Sequence, residues 1–166
     1  TVLKLDLLGH KDPLALKMMG ELTKVDFKKI PLGDKQVLSL FSSPVALGLK
    51  ENFLEAKTGT LGLPEFGTNF VQSVLQTAKP KTFNDLLVVS GITHGTDVWV
   101  NNAETLLLNG TAHSLMDIIG CRDDIMTYLM SKGVPNDISF KVMEDVRKGR
   151  GLKKEYMEQM KMHEVP

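Results

Sequence analysis

The sequence predicts a mainly α-helical chain with one strand at its start and a glycine-rich, irregular middle. Three observations carry that expectation. Residues that cap or open helices stand just before apolar residues spaced three and four apart, at Asp12-Pro13, Asp34, Thr68, Thr82 and Pro135-Asn136-Asp137. Only residues 2–8 and the stretch "DVWV" at 97–100 read as strand. Between 46 and 67, glycines fall at 48, 59, 62 and 67 with Pro64 among them, a pattern of loops and short helical turns.

In a strand over 2–8, Leu3, Leu5 and Leu7 share one face, while Val2, Lys4, Asp6 and Leu8 share the other. A lysine and an aspartate on one half-apolar face leave two readings, a solvated ion pair or the edge of an active site. After the turn at 9–13 a helix runs to about Leu22, with Leu14, Met18 and Leu22 in one row. Asp34 caps a shorter helix bearing Val37, Leu38 and Phe41, and Ser42-Ser43-Pro44 ends or bends it. Residues 68–77 carry Phe70, Val71, Val74 and Leu75 at helical spacing, and Thr82 caps "FNDLLVVS". A short helix follows near 102–108. The spacing then predicts helices over 122–131, closed by Gly133, over 137–148, and over 152–163.

With 42% hydrophobic and 24% charged residues in 166, the chain is long and apolar enough to bury a core. Lys plus Arg equals Asp plus Glu at 20 each, so any site for polyanions is local. The single cysteine, Cys121, excludes an internal disulfide framework and a cysteine-based zinc site, and fits a reducing compartment. No leader or membrane-spanning stretch is legible, which predicts a cytoplasmic protein with no membrane partner. The sequon at Asn109 is then incidental. A first residue that is Thr, followed at once by strand-like sequence, predicts an excised piece of something longer.

Four constellations bear on chemistry. "GLPEFGT" at 62–68 approaches a phosphate loop but lacks the lysine that loop needs. "SGITHGTDVW" at 90–99 sets Thr93, His94, Thr96 and Asp97 around two glycines; it reads as a tight interhelical turn or as a turn presenting backbone N–H groups to phosphate. In "GCRDDIM" at 120–126, Asp123 and Asp124 suit a helix N-terminus, whereas Arg122 does not and asks for an anion. "VRKGRGLKK" at 146–154 holds Arg147, Lys148, Arg150, Lys153 and Lys154 with no acid among them, either a solvated helix end or a contact to nucleic acid backbone. The four histidines lie too far apart to form a helical metal pair.

The segments "KLDLLGHKDP", "LFSSPVALG", "TGTLGLPEFGT", "KPKTFNDLLVVSGITHGTDVW", "IGCRDDIMTYLMSKG" and "VMEDVRKGRGL", in that order, resemble the C-family replicative DNA polymerases, specifically the PolC-type DNA polymerase III alpha subunits. The resemblance implies a palm-edge strand and turn over 1–12 carrying a K-x-D motif. It implies an incomplete, multi-helix fingers region over 13–166. It implies two-metal phosphoryl transfer from a deoxynucleoside triphosphate to a primer 3′-hydroxyl, with two Mg2+ ions held by three aspartates. Asp6 matches the third of these, and the other two belong to a D-x-D segment absent here.

Lys4 then faces phosphate beside the metals. Ser90, His94 and Arg122 match the side that meets the incoming nucleotide, and Arg147, Lys148 and Arg150 the basic segment that meets phosphate or nucleic acid. Met116 departs from the pattern where a polar residue is expected. The partners implied are primer–template DNA, dNTP, the rest of the polymerase chain, and a sliding clamp and other replisome proteins bound elsewhere, in a nucleoid-associated setting. With one carboxylate of three, the piece alone is expected to be inactive. Two other classes stand against this reading: a stand-alone helical DNA-binding module and a purely structural helical domain.

Overall fold

The computed structural model describes residues 2–5, 7–50 and 53–165. The architecture is mainly helical. α1 (Asp12–Thr23) opens with Pro13 in its first turn, where a missing N–H leaves no bond unmade. None of its residues is buried, and the row Leu14, Met18 and Leu22 stands in solvent. α2 (Lys35–Ser39) is capped by Asp34, whose carboxylate accepts the Val37 N–H at 2.9 Å.

Short 3-10 turns at Val45–Leu47 and Phe53–Glu55 lead into a loop pinned from inside. Thr58 and Thr60 are wholly buried with their hydroxyls 2.6 Å apart. Thr60 donates to the Phe66 carbonyl at 2.8 Å, and the Gln72 amide donates to the Gly67 carbonyl at 3.0 Å. Buried polar groups persist when each finds a partner, and these hold the loop 58–67 to the helix that follows.

That helix, α3 (Asn69–Ala78), starts at Thr68, and α4 (Phe83–Ile92) starts at Thr82. At the latter the bonding is reciprocal: the Thr82 hydroxyl accepts the Asp85 N–H at 3.1 Å and the Asp85 carboxylate accepts the Thr82 N–H at 2.9 Å. Val71, Val74 and Leu75 of α3 and Val89 and Ile92 of α4 bury together with Trp99, Ala103, Ala112, Leu115 and Ile118 to make the first core. Phe41 meets Phe66 edge to face over it, with centroids 5.4 Å apart.

Two expectations of strand are corrected. Residues 2–5 and 7–10 have no regular secondary structure, and no strand occurs among the described residues. Val2, Leu3, Leu5, Leu7 and Leu8 are all exposed, so neither a ladder nor a core supports them. A strand needs a partner for its backbone groups. The stretch 97–100 instead belongs to α5 (Thr96–Val98) and a wide turn, Trp99–Ala103, that leads into α6 (Glu104–Leu108). Its backbone bonds are local, the Val98 N–H donating to the Gly95 carbonyl at 3.0 Å and the Glu104 N–H to the Trp99 carbonyl.

α7 (Arg122–Ser131) and α8 (Asn136–Arg147) pack on each other across the turn 132–135, and α9 (Lys154–Met162) returns over them. Leu129, Val134, Val142 and Tyr156 form a second core. A cleft of about 1250 Å³ lies between the cores, with Leu87, Met116, Ile119, Tyr128, Leu152 and Val165 on its walls. No helix among the described residues is long and apolar enough to cross a membrane.

Candidate nucleotide and phosphate-binding surface

The first cluster is built at the end of α4. Ser90 is half-buried there, and its carbonyl accepts the Thr93 hydroxyl at 3.0 Å and lies 2.5 Å from His94 Nδ1. A carbonyl only accepts, so Nδ1 carries the proton and Nε2 is turned outward. Nε2 lies 3.7 Å from the Glu65 carboxylate. Glu65 comes from the pinned loop and has a left-handed backbone, φ 65°. Within "GLPEFGT" the residue that reaches a partner is this glutamate, and no local pattern signals it because His94 is distant in sequence.

Arg122 is the first residue of α7 and is exposed. Among the described residues it has no ion-pair partner. Behind it, Asp124 accepts the N–H groups of Gly120 at 2.9 Å and Cys121 at 3.0 Å. This carboxylate therefore fixes the two residues that lead into Arg122. Gly120 in turn lies against α4: a Cβ at Gly91 would overlap the Gly120 carbonyl oxygen, and a Cβ at Gly120 would come within 3.1 Å of the Val88 Cα. Two glycines thus bring the main chains of α4 and the α7 entrance into contact. Chain geometry then holds the Cα atoms of Ser90 and Arg122 within about 17 Å of each other.

Met116, the departure from the expected pattern, is exposed, and its sulfur accepts the Asn84 amide at 2.8 Å. Asp117 accepts the N–H groups of His113 and Ser114, both at 2.9 Å. The Ser114 bond above all holds its carboxyl below the usual range.

The basic stretch is not bare. Arg147 ends α8, and residues 148–153 join it to α9 through Gly149 at φ 63° and Gly151 at φ 71°. One turn upstream, Glu144 accepts Arg147 Nε and Nη2, both at 2.9 Å, and lies 2.9 Å from Lys148 Nζ. These bonds pull the Glu144 carboxyl down to about 2. Asp145, largely buried, has Arg150 and Lys153 each 3.9 Å away. Residues 146–154 contain no acid, but the E-x-x-R-K spacing that starts one turn earlier carries the signal for this pairing.

Lys4 is exposed, and Asp6 lies outside the described residues. Among the described residues no three His, Cys, Asp or Glu side chains converge to hold a metal ion. The residues described here do not on their own make up a two-ion site.

Residues 12–164 match the family model of the bacterial DNA polymerase III alpha subunit finger domain. The chain belongs to that family. It is 53% identical to the PolC-type DNA polymerase III of Halalkalibacterium halodurans over 99% of this chain and 11% of the relative. It is 52% identical to that of Oceanobacillus iheyensis over 99% of this chain and 12% of the relative. It is also 52% identical to that of Staphylococcus aureus strain MW2 over 99% of this chain and 11% of the relative. The chain thus spans about a ninth of the length of these curated relatives. The family match begins at Asp12, the first residue of α1, and takes in both cores, the α4–α7 contact and the basic joint.

Proposed function

We propose that this chain is the nucleotide-facing helical part of a replicative DNA polymerase. In that enzyme a primer 3′-hydroxyl attacks the α-phosphorus of a deoxynucleoside triphosphate and pyrophosphate leaves. Residues 13–166 supply the fingers, and 1–12 are the edge of the palm. The contact of Gly91 with Gly120 is the observation that carries this reading, since it links the Ser90–His94 turn to Arg122. An exposed guanidinium at a helix start, lacking a partner among the described residues, suits a triphosphate. His94 Nε2 offers a further donor when protonated, and Ser90 a hydroxyl.

Arg147, Lys148 and Arg150 meet phosphates of the nucleotide or the primer–template. Asp6 gives one carboxylate to a magnesium pair completed elsewhere in the polymerase, with Lys4 beside it. The piece by itself is inactive for want of the other carboxylates. Its partners are the rest of the polymerase, DNA and dNTP, and through other regions the sliding clamp and replisome, in the cytoplasm at the nucleoid.

The test is steady-state primer extension by the full-length polymerase with Arg122→Ala. A triphosphate contact predicts a nucleotide KM raised on the order of tenfold or more, the weight of a charge-assisted bond. Unchanged KM and kcat would overturn the reading and favour a purely structural domain.

A further inference from the structure

The fork that would grip a phosphate at the end of α8 is already occupied. Arg147 commits Nε and Nη2 to Glu144, and Lys148 reaches the same carboxylate, all at 2.9 Å. Planar bidentate recognition is what makes arginine a phosphate ligand, and here a carboxylate sits in the phosphate's place. The three side chains come from one helix end, at spacings of three and four, so the arrangement forms wherever α8 forms. The cations of Arg150 and Lys153 are held differently, at 3.9 Å from Asp145, on the joint with two left-handed glycines. Arg147 and Lys148 are tightly paired where α8 ends, whereas Arg150 is held loosely on the joint and Lys153 also donates to the Tyr156 hydroxyl at 3.2 Å.

The geometry points to Glu144 as an internal phosphate mimic that latches Arg147 and Lys148, so that this surface binds phosphate by exchange of a carboxylate for a phosphate group. This deepens, and rests on, the proposal that residues 147–150 contact phosphate. Glu144 stays ionised throughout the neutral range, so the latch is closed by default and opens only to a competing anion. An exchange of this kind keeps the two cations satisfied whether or not ligand is bound. It also lowers affinity for any isolated phosphate, because a ligand must displace an anion that costs no association entropy. A polyanion or triphosphate with further contacts overcomes that handicap. The shared chemistry is the phosphate oxygen, whether from the DNA backbone or from the triphosphate.

The experiment uses the full-length polymerase carrying Glu144→Gln, which keeps the shape and removes the charge. One arm measures affinity for a fluorescent primer–template without nucleotide, across a salt series. The other measures nucleotide KM at saturating primer–template. The latch predicts DNA binding tighter on the order of fivefold near 0.1 M salt, with the slope of log K against log salt steeper by about one unit. Alternatively it predicts a KM lowered by a similar factor, and the arm that responds names the source of the phosphate. The gain must vanish in an Arg147→Ala/Lys148→Ala background.

If that double variant of the otherwise native enzyme changes neither affinity nor KM, the phosphate-contact reading itself falls. If it weakens binding while Glu144→Gln leaves both arms unchanged or weaker, the latch falls and the contact stands. A Glu144→Gln gain that persists in the double-variant background marks a general effect of deleting an acid, and also overturns the latch.

Discussion

Gly91 on α4 lies directly against the main chain of Gly120, so that a methyl group at 91 would overlap the Gly120 carbonyl oxygen and stand 2.7 Å from its carbon. The relationship is reciprocal, with Val88 waiting 3.1 Å from a methyl at 120. Backbone against backbone is the closest approach two elements can make, and only residues without Cβ permit it. The contact ties the turn that carries Ser90 and His94 to the segment that leads into Arg122.

Gly91→Ala therefore pushes α4 and residues 118–121 apart. Alanine would ordinarily gain about 1 kcal/mol in a helix interior. Overlap with a carbonyl outweighs that gain, and we expect a net destabilisation of about 1–3 kcal/mol in urea unfolding. Gly62→Ala is the control: nothing lies within 4 Å of its Cβ position, and its effect should stay within about 0.5 kcal/mol. Equal effects of the two substitutions would refute the contact.

Asp124 bears the next prediction. Its carboxylate accepts two N–H groups, from Gly120 and Cys121, just before the helix that begins with Arg122. Asp124→Ala removes a helix cap and should cost about 1 kcal/mol of stability. In the full-length polymerase it should also raise nucleotide KM in the direction of Arg122→Ala, since the entrance to α7 loses its anchor. A stability loss with KM unchanged would separate the cap from the nucleotide contact.

Much of this framework was legible in residue order, because helix starts are local chemistry. Asp34, Thr68 and Thr82 each accept an N–H from three residues on, as short polar side chains before an apolar stripe do. Arg122 as a misplaced cation was also visible from sequence. What was not legible needed three dimensions. Glu65 reaches His94 only because a left-handed residue in a loop pinned by Thr60 and Gln72 aims it there. "DVWV" has the composition of a strand, yet its backbone closes on itself and its Trp99 fills a helical core. The leucines of residues 2–8 carry the alternation of a strand, but alternation supplies no hydrogen-bond partner.

The same contrast distinguishes two kinds of apolar residue. Leu75 is wholly buried in the first core, so Leu75→Ala should cost about 2–5 kcal/mol in unfolding of the chain. Met18 lies in the exposed row of α1, and Met18→Ala should change chain stability by less than about 0.5 kcal/mol. If that row packs against the remainder of the proposed polymerase, Met18→Ala should lower the thermal stability of the full-length enzyme while sparing the isolated chain. Equal insensitivity in both would leave α1 without a partner in the polymerase.

The charge pairs at the end of α8 give the chain a defined acid response. The carboxyl of Glu144 falls from 4.5 to about 2 because Arg147 and Lys148 bond its ionised form. A carboxyl depressed in the folded state stabilises that state above its unfolded value, and the contribution is lost as pH falls through the folded value. Asp137, bonded to Lys141 at 3.1 Å, and Asp117 shift in the same direction. Unfolding free energy contributed by these groups should be flat from pH 7 to about 5 and decline as pH drops from about 4.5 toward about 2. The decisive comparison is between the native chain and Glu144→Gln. Their difference in urea midpoint should hold steady at neutral pH and close toward zero near pH 2, while a difference that widens on acidification would mean that Glu144 is not bonded in its ionised form.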